Sequence, residues 1–77
     1  MIRILLSTRL GERRWTQSKL SRESGVRAAT ISELYNEIAE RVSLRDLYKI
    51  CKALHCDVGD LLKIEYTPEI YEDDAET

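Results

Sequence analysis

The chain has 77 residues, 12 of them basic and 14 acidic, for a net charge of −2. That length holds one small domain with a marginal core, so a well-packed helical bundle or oligomerisation is expected to support it. It contains no run of about 18 apolar residues, which excludes a transmembrane helix, and its single histidine and lack of a glycine-rich phosphate loop leave no nucleophile and base to act together, which excludes an enzyme.

The N-terminus, Ile2, Ile4 and Leu5, is β-prone. Residues 1–6 are too short for a signal peptide, and Arg9, Glu12, Arg13 and Arg14 follow at once, so a cytoplasmic protein is expected. A first helix is expected from about Ser7 to Arg14, with Leu6 and Leu10 on one face and Trp15 closing its end. Gly11 inside it lowers helix propensity by roughly 1 kcal/mol or permits close packing.

Thr16 can N-cap a second helix whose apolar side begins at Lys19-Leu20, and Gly25 can take the left-handed conformation that ends it. A third helix at about 27–36 turns Ile31 and Leu34 inward, three apart on one face. Arg27, Ala28, Ala29, Ser32 and Glu33 are left on its other face. A helix with small or hydrogen-bonding residues on its outer N-terminal face can approach a nucleic-acid groove closely. Two short helices joined by a tight turn at Gly25 have the geometry of a DNA-reading helix-turn-helix.

Residues Asn36 to Val42 are polar and lack the glycine or proline of a sharp turn. Ser43 then N-caps a fourth helix, with Asp46 at the capping-box position. Its apolar positions Leu44, Leu47, Ile50, Cys51 and Leu54 are spaced helically. A short last helix is expected over Val58 to Leu62, begun at Asp57 and packed through Leu61. Residues 62–66 alternate apolar and polar, as a strand does, and need a partner strand from the N-terminus or from another subunit. Tyr35 and Tyr48 are expected to be half buried, and Trp15 to lie in the core. Cys51, His55 and Cys56 cluster, but Cys51 falls on the apolar helix face and a structural zinc site normally needs four ligands, so neither a metal site nor a disulfide scaffold is expected.

The acidic charge is segregated. Residues 68–77 hold Glu69, Glu72, Asp73, Asp74 and Glu76 and no base, which leaves residues 1–67 at +3. This segment is expected to be a disordered tail. It has three readings: a solubilising end, a polyanion that competes with DNA for the basic face, or a docking segment for a partner protein.

Two stretches carry a family resemblance. They are Thr16-Gln17-x2-Leu20-x3-Ser24-Gly25-Val26-x3-Thr30-Ile31-Ser32-x-Leu34 and Ser43-Leu44-x2-Leu47-x2-Ile50-Cys51-x-Ala53-Leu54-x3-Val58-x2-Leu61-Leu62. Over roughly residues 6–62 the chain resembles the Cro/C1-type helix-turn-helix (XRE) family, in particular its short single-domain members. The resemblance implies an all-α, five-helix, lambda-repressor-like bundle with room for short N- and C-terminal strands, spanning residues 1–67. It implies a transcriptional regulator that binds a palindromic operator on double-stranded DNA as a homodimer, without a cofactor. Repression is expected over activation.

By position in the motif, Arg27, Ala28, Ala29 and Glu33 are expected to meet base edges. Gln17 is expected at a phosphate, with Asn36 and Arg41 holding the backbone after the recognition helix. Thr30 and Ser32 are placed near the backbone, and Arg9 and Lys19 join them on charge alone. Ala28-Ala29 departs from the Gln, Ser or Arg of many relatives and offers only apolar contact, for example with a thymine methyl. Glu37 and Glu40 would repel phosphates unless neighbouring arginines neutralise them. The alternative is a protein-interaction module, such as an antitoxin or anti-repressor, whose main partner is a protein.

Overall fold

Capping side chains start two of the helices, as expected from the sequence. The computed structural model describes residues 1–66, in the order β1 (Ile2–Ile4), α1 (Leu6–Arg13), α2 (Gln17–Ser24), α3 (Ala28–Tyr35), α4 (Leu44–Leu54), α5 (Val58–Leu61) and β2 (Leu62–Ile64). Thr16 is extended, and its hydroxyl accepts from the Lys19 N–H at 3.0 Å. Ser43 does the same for the Asp46 N–H at 3.0 Å. The Asp46 carboxylate does not return the bond, so the expected capping box is half formed. The reach-back bond occurs instead at α5, where the Asp57 N–H donates to Asp60 Oδ2 at 3.0 Å. The acidic segment expected to be disordered, 68–77, lies outside the described residues.

Helix ends carry the differences from the sequence reading. α2 stops at Gly25 with φ of 77°, as its glycine allows. α1 and α4 stop on residues that are not glycine: Arg14 and His55 sit in the left-handed region with φ of 58° and 56°. Trp15 N–H closes onto Leu10 O at 3.0 Å and Cys56 N–H onto Cys51 O at 3.0 Å, which satisfies carbonyls that a helix end otherwise leaves open. α1 therefore runs one residue earlier than expected at both ends. The last helix ends at Leu61, because Leu62 is already extended and begins β2.

One core joins all five helices. Leu6 and Leu10 from α1, Leu20 from α2, Ile31 and Leu34 from α3, Leu47, Ile50, Cys51 and Leu54 from α4, and Leu61 from α5 are buried together with Val26. Leu44 is a correction: it is 82% exposed, because it opens α4 where no neighbouring element covers it. Tyr48, one turn on, is 64% exposed rather than half buried. Tyr35 and Trp15 are half buried against the core.

Arginines tie the periphery to this core. Arg13 Nη2 donates to the Leu54 carbonyl at 2.7 Å, capping the end of α4. Arg9 Nε donates to the Asp60 carbonyl at 2.8 Å, which fixes α5 against α1. α5 delivers β2 to β1, and the two pair antiparallel with Ile2 opposite Ile64, Arg3 opposite Lys63 and Ile4 opposite Leu62. The pairing stays within the chain. Strand alternation puts Ile2, Ile4, Leu62 and Ile64 on one face. Ile4 and Leu62 reach the core, whereas Ile2 and Ile64 extend past it, 59% and 55% exposed. β2 is shorter than the expected 62–66, although the Glu65 N–H still donates to the Met1 carbonyl at 2.7 Å.

Candidate nucleic-acid interface

The turn between α2 and α3 is fixed from both sides. Gly25 N–H donates to Ser21 O at 2.9 Å, Ser21 Oγ donates to Val26 O at 2.7 Å, and Val26 N–H donates to Ser24 Oγ at 3.1 Å. The Val26 side chain is buried and anchors the turn. Small hydroxyl residues thus supply the partners that a buried backbone turn requires.

α3 buries Ile31 and Leu34 and turns the opposite side outward. Ala28, Ala29, Glu33 and Asn36 are exposed on that side, with Thr30 and Ser32 half buried. Arg27 is not within the helix. It is the N-cap, in extended conformation with an exposed side chain, and its carbonyl accepts from the Ile31 N–H at 3.1 Å. A helix about 10–12 Å across fits a major groove about 12 Å wide, and its backbone comes closest to the base edges where its side chains are short. The first turn of α3 meets that condition through the two alanines. Ser32 and Asn36 engage each other: Asn36 Nδ2 donates to the Ser32 carbonyl at 2.9 Å and caps the helix end.

α2 presents its N-terminus through Gln17, its first residue, which is half buried. Backbone N–H groups at such an end favour an anion. Lys19 lies over the Trp15 ring, 4.7 Å from its centroid, so its charge is positioned by an aromatic face. Arg41 is exposed in the loop after α3 and has no ion-pair partner among the described residues. Arg9 differs from these. Its guanidinium is engaged by the Asp60 carbonyl and, at 3.0 Å, by the Glu12 carboxylate.

Glu37 occupies the place that the sequence marked as repulsive. It lies in the left-handed region with φ of 59°, which makes the turn that glycine would usually make. Its two carboxylate oxygens accept from Arg3 Nε at 2.8 Å and Arg3 Nη2 at 2.9 Å, and Oε1 also accepts from the Ile4 N–H at 3.1 Å. The Arg3 hydrogen bonds, followed by the Ile4 N–H, hold the Glu37 carboxyl down to about 2. Arg3 also reaches Glu65 at 3.5 Å. One arginine on β1 therefore neutralises the first acid after α3 and links that loop to both strands. Sequence reasoning missed this pair because 34 residues separate its members. The local signal was the charge of Glu37 itself, which called for an arginine without saying which one.

A buried-face helix, a hydrogen-bonded turn and a second helix with a short-side-chain outer surface define a helix-turn-helix DNA-binding domain. The chain belongs to the Cro/C1-type helix-turn-helix DNA-binding family, whose profile matches residues 6–67. It is 37% identical over 60 residues to YozG of Bacillus subtilis (strain 168), described as an uncharacterized HTH-type transcriptional regulator, covering 78% of this chain and 71% of that protein. No solved structure matches the chain significantly. The family is one of DNA-binding regulators and not a class of enzyme. No helix among the described residues is long and apolar enough to cross a membrane.

Proposed function

We propose that this protein is a cytoplasmic transcriptional repressor that binds a palindromic operator as a homodimer. The outer face of α3 carries the reading: Ala28 and Ala29 let the backbone approach base edges, Arg27 stands at its entry, and Glu33 lies one turn in. Arg27 is assigned to guanine O6 and N7, where a bidentate contact gives about 1–3 kcal/mol of discrimination. Glu33 suits cytosine N4 as donor, and the alanines suit thymine methyl groups.

Gln17, with the N-terminus of α2, is assigned to a phosphate. Lys19, Thr30 and Arg41 are assigned to flanking backbone. Ser32 and Asn36 are assigned to the same side, where Asn36 caps the helix end by donating to the Ser32 carbonyl. Arg9 is left out of this face, since its guanidinium already holds α5 to α1.

The dimer reading is supported by the overhanging pair Ile2 and Ile64, two exposed apolar side chains on one sheet face. One recognition helix covers few base pairs, and two across a palindrome roughly add their free energies. The protein-partner alternative draws on the acidic segment 68–77 and on the acidic loop at Glu37 and Glu40. Arg3 neutralises Glu37, which weakens the contribution of the loop.

Fluorescence anisotropy on duplex DNA, repeated at two salt concentrations, tests the assignment. Arg27→Ala is expected to relax the preference for one sequence, and Gln17→Ala to weaken binding to all sequences. Two variants that bind like the parent chain would overturn it.

A further inference from the structure

The end of α4 links two cysteines across its stop. The chain closes the helix by the Cys56 N–H bond to the Cys51 carbonyl at 3.0 Å, with His55 left-handed between them. In such a closure the two bonded residues commonly make an apolar side-chain contact across the stop. Here both are cysteines, and both are free thiols. Covalent geometry limits their separation: a carbonyl-to-amide bond of 3.0 Å places the two Cα atoms at most about 7 Å apart. A disulfide spans about 4.4–6.8 Å between Cα atoms.

Both cysteines line one groove of about 700 Å³ between α4 and α5, together with Leu47, Tyr48, Lys52 and Val58. Cys51 is buried, and Cys56 is half exposed. None of the residues assigned to DNA lines this groove.

We infer that Cys51 and Cys56 form a redox-active dithiol that closes to an intramolecular disulfide by exchange with a low-molecular-weight disulfide of the glutathione class. The exposed Cys56 sulfur attacks the small disulfide, forms a mixed disulfide and releases one small thiol. The Cys51 sulfur then bonds to Cys56 Sγ, and the second small thiol departs with the Cys51 proton. Two protein thiols are oxidised and one small disulfide is reduced to two thiols. Burial and the neighbouring Cys56 push the Cys51 thiol up to about 11, which leaves the first encounter to Cys56 and makes attack by Cys51 the slower step.

The experiment equilibrates the full chain in a series of oxidised and reduced glutathione mixtures. Free thiols are counted by alkylation and intact mass, in native buffer and in denaturing urea. The expected native product is a chain with no intermolecular disulfide that loses both thiols together, with a closure constant at least tenfold above that in urea. Native chains that accumulate two glutathione adducts, form disulfide-linked pairs or remain reduced would overturn the proposal, as would a closure constant equal to that in urea. Cys56→Ser keeps the buried thiol and is expected to remain reduced, while the parent chain decides the question whether or not that variant folds.

Discussion

A glutamate one residue past the C-cap of a DNA-reading helix faces an unfavourable field, and its own partners account for its presence. Glu37 is clamped by Arg3 and by the Ile4 amide, so it acts as a strap for β1 rather than as a free charge near phosphate. Its folded value of about 2 lies below the ordinary carboxylate range near 4.3. A lowered carboxyl contributes its stabilisation fully above the unfolded value and loses it as pH falls through the folded value. Glu37→Gln is therefore expected to melt below the parent chain at pH 6, with the two converging as the pH falls towards about 2. Circular-dichroism melts across that range provide the check, and a gap that does not change with pH would contradict the assignment. The same pair marks a limit of the sequence. Charge patterning identified Glu37 as needing an arginine, but only the return of β2 alongside β1 places Arg3 there.

Among the elements, the helix-turn-helix was legible because each of its signals is local: Thr16 caps, Gly25 stops, and Ile31 and Leu34 recur three apart. Helix ends without glycine were not legible. Arg14 and His55 take left-handed backbone because the neighbouring closures satisfy the open carbonyls, and no residue type announces that. Leu44 misled for a related reason: periodicity assigns a face but does not show whether another element covers it.

Gly25→Ala tests the turn. A Cβ there meets nothing within 4 Å, so the cost is conformational and is expected to be about 1–2 kcal/mol. Ile31→Ala removes a fully buried side chain from α3 and is expected to cost about 2–5 kcal/mol. Urea unfolding measures both. Since a small domain holds roughly 5–15 kcal/mol in total, the second change should leave little of the fold's margin.

At the scale of the whole molecule, the arrangement separates three surfaces: α3 with the start of α2, the overhanging sheet, and the groove between α4 and α5. The dimer proposed for the sheet predicts that Ile64→Asp yields monomers in analytical ultracentrifugation and weakens operator binding more than half-site binding. A variant that stays dimeric would move the interface elsewhere. Glu65 meets Arg3 at 3.5 Å, and the acidic segment 68–77 comes after it in the sequence. Truncation after Thr67 is expected to strengthen DNA binding, most at low salt, if that segment competes for the basic face. Unchanged affinity would leave it a solubilising end.

In the proposed dimer, two copies of α3 read one sequence together. Selection of bound sites from a random duplex library, carried out at two salt concentrations, tests it most directly. The expected result is an enriched palindrome with half-sites about one helical turn apart, retained at the higher salt. Binding without enrichment that vanishes as salt rises would reduce the interaction to backbone attraction and contradict it.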